Sequence, residues 1–469
     1  MAPTPPKRWF KQSARFSRFL ADRGMIVMQL YVVAILVGFI AVAFAIMSDH
    51  AIKWQKDLYF ENPLIAYLLP PIVLPACLWL VNKFFWGAGG SGIPQAVKVI
   101  NHPDPRLISR LIGPRAFLGK FLLTPLVIAS GAASGREGPT VQLGAALMMM
   151  SRKLPGIARV FDTQSLIIAG GAAGVAAAFN TPLGGLMFAF EELGRRRTLR
   201  HTSNLLMAVV LAGLVSLMIQ GNYSYFGYSN ATIDWQDHWM ILLLLAVCTG
   251  IVGGLYGRAL LLIVSPKTRL GAYRAKRPYF FAMLCGLLIS AMAIVLGPQV
   301  FGAGYEETKL ALEESQDLSL SFWFVKMVST VTSFASGAPG GVFAPTLSIG
   351  AGFGHFFATL NSQETAPFMI LAMVGVLSAV THAPITAFVI VLEMVDNHGL
   401  VMPMIMTAAI STQVSRRILP TSIYVLLAMN IRIQFAPKEV NPQANKETSA
   451  ETSAETTAET STEAPNTKV

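Results

Sequence analysis

Long apolar runs separated by short polar clusters fill most of the chain. Residues 25–47 are almost wholly apolar, longer than the ~20 residues a helix needs to cross a hydrocarbon core. Comparable runs recur nearly to Ala436. The pattern predicts an all-α, polytopic integral membrane protein in three parts. Residues 1–24 form a basic segment, 25–436 a transmembrane domain, and 437–469 a polar tail. From Glu447 the tail repeats Glu-Thr-Ser-Ala with small variations, a composition too polar to bury a core, which predicts disorder.

Within the apolar part the chain carries a weak copy of itself. Gly135-Arg-Glu-Gly-Pro139-Thr140, followed by Gly144 and Ala145, matches Gly341-Val-Phe-Ala-Pro345-Thr346, followed by Gly350 and Ala351, at every interval. Glu137 and Phe343 occupy equivalent places. Pro182 precedes Glu191 by nine positions, and Pro384 precedes Glu393 by nine. Gly135 to Gly341 is 206 residues and Pro182 to Pro384 is 202, so the two offsets nearly agree. They predict two related halves, about 25–220 and 239–436. Many secondary transporters are built this way, with the binding site where the halves meet near the midplane. The sequence leaves an inverted and a parallel arrangement both open.

Composition agrees with the pattern: 53% of residues are hydrophobic and 13% charged, about half the charge of an ordinary soluble domain. The formal charge of +11 lies in clusters between apolar runs rather than along one soluble face, which argues against a nucleic-acid partner. The clusters read as topology signals. Lys7, Arg8, Lys11, Arg15, Arg18 and Arg23 precede the first run, and further basic groups fall at 195–200 and 267–277. All three are placed inside by the excess of positive charge, with both termini cytoplasmic. No Lys or Arg lies between Arg200 and Arg258, whereas Asp234 and Asp237 do, so that connection faces outward. The first run is long for a cleaved secretory signal and is read as a retained span. Cys77, Cys248 and Cys285 have no metal-ligand spacing, so packing roles are expected, with no metal and no cofactor.

Three Gly/Pro-rich segments interrupt the apolar runs: Gly90-Ser91-Gly92-Ile93-Pro94, Gly135-Arg136-Glu137-Gly138-Pro139, and Gly341-Val342-Phe343-Ala344-Pro345. Each has the form of a helix start, where proline is tolerated because its missing N–H would lack a partner. Glycine there lets the backbone bend and a ligand approach. Unpaired N–H groups at such starts favour an anion. At membrane depth they are tolerated only when buried in protein or lining a cavity. Three converging starts would seat a small dehydrated anion without a full cationic side chain. Taken singly, each segment could be only a kink or a tight helix crossing.

Glu137 stands inside this pattern, and an ionisable group in an apolar region needs a partner or a function. Ionised, it would occupy the anion seat; protonated, it would leave, coupling the two occupancies. A salt bridge to Arg136 is the competing reading, weakened because adjacent residues on a helix do not face each other. Glu191 and Glu192 end an apolar stretch; Glu191 reads as an interface anchor and Glu393 as structural.

These segments, in this order and spread over some 250 residues, resemble the three signatures of CLC chloride channels and transporters. Ser422-Ile423-Tyr424 resembles the family's late tyrosine region, and the likeness runs from about Met25 to Arg432. The resemblance implies two inverted helical repeats with broken helices at the ion site, and a homodimer in a bacterial inner membrane with one pathway per subunit. It implies that Ser91 and Tyr424 face the central chloride and that the backbone at Val342 and Phe343 reaches the same ion. Glu137 matches the gating glutamate. Glu192 matches the inner glutamate that relays protons in the exchangers and is replaced in the channels. Chloride and protons are thus the expected substrates, and exchange across the bilayer the expected activity, with a passive voltage- or pH-gated chloride channel of the same fold as the alternative. The resemblance also implies chloride over nitrate, since nitrate-preferring relatives carry proline where Ser91 stands. One departure is Val97, where close bacterial relatives often carry an acid, which puts the inner end of the proton path in question.

A rival of another class is an intramembrane serine protease, since Gly89-Gly90-Ser91-Gly92 contains GxSG and His382 lies in a later apolar stretch. No spacing supplies the base a nucleophile needs. Gly87, Gly89 and Gly92 also make a lone dinucleotide-type fingerprint, but it follows a membrane-length run rather than a strand.

Overall fold

A computed structural model of the chain describes residues 7–195, 202–221, 224–234, 237–314 and 316–431. The polar tail 437–469 and most of the basic cluster 195–200 lie outside the described residues, as do the first six. The first half comprises α1 (Lys7–Glu61), α2 (Pro63–Lys83), α3 (Ile93–Asn101), α4 (Pro105–Leu111), α5 (Pro114–Ala129), α6 (Glu137–Met150), α7 (Ile157–Val160), α8 (Thr163–Phe179), α9 (Pro182–Phe188) and α10 (Thr202–Gln220). The second comprises α11 (Trp239–Val264), α12 (Arg269–Lys276), α13 (Pro278–Leu296), α14 (Tyr305–Glu313), α15 (Phe322–Ala335), α16 (Phe343–Leu360), α17 (Thr365–Thr381), α18 (Pro384–Val395), α19 (Val401–Ser415) and α20 (Ile423–Asn430). No β-sheet occurs among the described residues.

Among the described residues, six stretches are long and apolar enough to cross a membrane: Arg23–Glu61, Pro63–Lys83, Pro105–Ala129, Thr202–Gln220, Trp239–Val264 and Pro278–Leu296. Large apolar side chains such as Val32, Leu68, Met218 and Leu288 stand exposed on them, as expected of a surface solvated by lipid. The chain is a membrane protein. Helix α1 runs unbroken from Lys7 to Glu61.

The buried helices are shorter. Helices α5, α6, α8, α9 and α10 follow one another much as α15, α16, α17, α18 and α19 do, and α6 packs on α8 as α16 packs on α17. Both contacts depend on small residues that let backbones touch. A Cβ on Gly144 would lie 2.1 Å from Gly170 O, and one on Gly170 2.3 Å from Gly144 O. In the second half a Cβ on Gly350 would lie 2.7 Å from Ala372 O. Gly170→Val is therefore expected to destabilise the detergent-solubilised protein by about 1–3 kcal/mol, the usual cost of overpacking. Gly24→Ala, whose added Cβ meets nothing within 4 Å, serves as the control. Equal thermal unfolding midpoints for the two variants would refute this contact.

The two halves also terminate each other's helices. The Glu191 carboxylate accepts from the backbone N–H groups of Ile385 (3.3 Å) and Thr386 (2.6 Å) at the start of α18. Glu393 accepts from those of Leu183 (3.1 Å) and Gly184 (2.6 Å) at the start of α9. Each acid supplies the acceptor that the exposed amides of a helix N-terminus require. Glu191 is thus a cap on the opposite half rather than a loose interface anchor.

Candidate anion and proton site

The three Gly/Pro segments meet. Gly135 and Gly341 exchange two backbone hydrogen bonds, Gly135 N to Gly341 O and Gly341 N to Gly135 O, each 2.8 Å. Gly90 N donates to Ala338 O at 3.2 Å, and Gly340 N to Gly90 O at 3.0 Å. Three helix starts spread over 250 residues of sequence are thereby fastened at one place: Ile93 opens α3, Glu137 opens α6 and Phe343 opens α16. Gly92 reaches α3 at φ +112°, and a Cβ there would lie 2.5 Å from Gly138 O. Only glycine satisfies both the backbone angle and the approach.

The predicted residues fall around this junction. Ser91 Oγ is buried with no hydrogen-bond partner in the protein, and a Cβ on Gly138 would lie 2.4 Å from it. The hydroxyl therefore sits on the start of α6. Val342 and Phe343 are buried, and the Phe343 ring packs against Phe179 (5.2 Å between centroids) and Phe188 (6.5 Å). Tyr424, near the start of α20, is fully buried, and α20 packs on α3. Gly90, Ile93, Pro94, Pro139, Gly341, Ala344 and Pro345 complete the three turns.

Glu137 is 2% exposed. Its Oε2 has no hydrogen-bond partner in the protein and would lie 2.4 Å from a Cβ on Gly135, whose other close neighbours are Pro345 and Ala344. The carboxylate thus rests between the starts of α6 and α16. Its Oε1 accepts from the Tyr225 hydroxyl at 3.1 Å. Arg136 Nε is 4.0 Å away, and the Arg136 guanidinium instead pairs with Asp49 and donates to Ala45 O. The adjacent arginine therefore braces α6 against α1 and does not neutralise the site by a close pair.

Glu192 lies beyond α9, where the helix widens into a π-helical turn at Ala189–Leu193. Such turns recur at functional positions. Here the two neighbouring acids diverge: Glu191 reaches α18, and Glu192 turns inward. Its Oε1 accepts from Ser422 Oγ at 2.8 Å, tying it to the N-cap of the helix that carries Tyr424. Its Oε2 accepts from Arg195 Nη2 at 3.0 Å. Glu192 also borders a cavity of about 840 Å³ lined by Val97, Lys98, Asn101, His102 and Arg195 among others. Val97 therefore faces the same space as the proton-relay candidate.

Sequence reasoning missed three contributors. Lys120, fully buried, donates from Nζ to Gly90 O at 2.6 Å. Arg195, read only as positive charge, also donates to the carbonyls of Thr381 (2.6 Å) and His382 (2.7 Å). Tyr225 lies in a connection with no motif of its own. His382 Nε2 lies 3.3 Å from Ser415 Oγ, and the Ser91 hydroxyl has no histidine partner, so the protease arrangement is not formed. No group of three His, Cys, Asp or Glu able to hold a metal occurs among the described residues.

Comparison with known proteins gives a consistent result. The family described as voltage gated chloride channel matches residues 72–416. The H(+)/Cl(-) exchange transporter ClcA of Salmonella arizonae is 30% identical over 460 residues, covering 92% of this chain and 94% of that protein. Its namesake in Salmonella paratyphi B is 31% identical over 402 residues, covering 80% and 82%. Among solved structures, a slow cyanobacterial Cl-/H+ antiporter superposes with a TM-score of 0.73 at 24% identity, covering 86% of this chain and 97% of the other. A CLC-type fluoride/proton antiporter gives 0.74 at 21% identity with the same coverage. At those identities the structural likeness speaks for the fold.

Proposed function

This chain belongs to the voltage-gated chloride channel family, and from that premise we propose that it is a secondary transporter exchanging chloride for protons. The observation that carries the reading is the place of Glu137: a buried carboxylate with one unpartnered oxygen, among three helix starts joined by backbone hydrogen bonds. Helix-start amides and the Ser91 hydroxyl favour an anion there, and a carboxylate is itself an anion. Chloride and ionised Glu137 compete for one seat; a proton taken up by Glu137 releases it. Tyr424 and Ser91 hold the central chloride.

Glu192 serves as the inner proton station, fed from the cavity that Val97 and Lys98 line. Ser422 and Arg195 hold its carboxylate in place. The same proposal includes a homodimer, two inverted halves at 25–220 and 239–436, a bacterial inner-membrane location, and both termini on the cytoplasmic side. The matched helix order and the reciprocal Glu191 and Glu393 caps support the two halves. The division into segments 1–24, 25–436 and 437–469 rests on composition.

The test is the reversal potential of reconstituted vesicles under a pH gradient at fixed chloride. Exchange predicts that the potential moves with the proton gradient; a potential that follows chloride alone would leave a channel. Replacing chloride with nitrate and with fluoride then measures the selectivity expected from Ser91.

A further inference from the structure

Tyr225 and Phe226 are 3% and 1% exposed, although they sit in a connection between helices, where side chains usually face solvent. The connection is fastened to the far end of α18. Phe226 N donates to Met394 O at 2.9 Å and Ser229 N to Val395 O at 3.3 Å. Asn397 Nδ2 donates to Ser229 O (2.9 Å) and Ala231 O (2.8 Å). The other end of α18 is the one capped by Glu191. Twelve residues of helix, about 18 Å at 1.5 Å each, separate the Tyr225 end from the end beside Glu192.

The Tyr225 ring is held on several sides. Its centroid lies 5.4 Å from Phe179, 5.0 Å from Phe226 and 4.6 Å from Tyr305, and the Arg136 guanidinium is 5.8 Å from it. Tyr305 opens α14, and the acids in that first turn, Glu306 and Glu307, pair with Lys56 of α1. A rotamer locked by this packing delivers one hydroxyl to one oxygen of Glu137.

We propose that Tyr225 is a positioning residue that holds the Glu137 carboxylate in the anion seat from the side remote from Glu192, thereby setting the chloride concentration needed to displace it. The inference rests on the reading that Glu137 and chloride compete. A hydroxyl donor stabilises the seated carboxylate and gives nothing to the displaced one, so chloride must break this bond to enter. Removing the bond favours chloride.

The test is equilibrium chloride binding to the purified full-length protein by isothermal titration calorimetry. Tyr225→Phe keeps the ring and its stacking and removes only the hydroxyl. It is expected to tighten apparent chloride binding about tenfold, the low end for a hydrogen bond to a charged group. In a Glu137→Ala background the same substitution is expected to change binding less than about twofold, because the group it acts through is gone. An equal shift in both backgrounds would overturn the proposal by placing Tyr225 on the anion or on the fold. No shift in either would overturn it as an idle contact. If Glu137→Ala alone leaves chloride binding unchanged, competition itself is wrong and the proposal falls with it.

Discussion

Glu137→Ala is expected to abolish proton coupling while chloride continues to cross. The backbone junction of Gly135 with Gly341 contains no Glu137 side-chain atom, so the amide-lined seat survives the substitution. Only the competing carboxylate is lost. In vesicles, the reversal potential of the variant should sit at the chloride equilibrium potential and ignore a pH gradient of any size. Chloride-driven proton uptake should drop to the background of empty vesicles. Retained coupling would remove Glu137 from the mechanism.

Glu192→Gln carries the second large effect, and it should be selective. The glutamine carbonyl oxygen can still accept from Arg195 while its amide N–H donates to the Ser422 hydroxyl, which keeps both partners of the side chain with one bond reversed. What it loses is the capacity to take up and release a proton. Proton flux is expected to fall about 100-fold or more, the lower range of what a positioned proton donor contributes, with chloride flux retained. Chloride flux assays run beside proton-electrode recordings check this; equal loss of both fluxes would point instead to misfolding. The substitution also leaves the Arg195 charge without its partner in a wall of the inner cavity, so part of any change in chloride entry arises there.

Much of this was legible in the residues because membrane chains advertise their exceptions. Glycine and proline inside apolar runs cost helix stability, so Gly90, Gly135 and Gly341 marked interruptions with a purpose. The equal nine-residue spacings of Pro182 and Glu191 and of Pro384 and Glu393 pointed to related halves. They did not announce that each acid caps the opposite half, because an interval within one segment says nothing about which distant amides it will meet. Tyr225 was invisible for a related reason. Its place is set by bonds to Met394 and Val395, some 170 residues away in sequence, and no periodicity encodes such a pairing. Arg195 resembled any other positive charge at a membrane boundary until Glu192, three positions before it, turned inward on the π-helical turn. The apolar run of α1 has polar residues on both flanks, which mark no helix end because the backbone continues through them.

The reciprocal carboxylate caps bear on how the molecule is made. Leu183 emerges from the ribosome 210 residues before Glu393, the acceptor of its N–H. At 5–20 residues per second, that delay is about 10–40 s. Throughout it the N-terminal amides of α9 are without their native acceptor, which is costly wherever water cannot substitute. Assembly of the first half therefore stays provisional until residue 393 has been made.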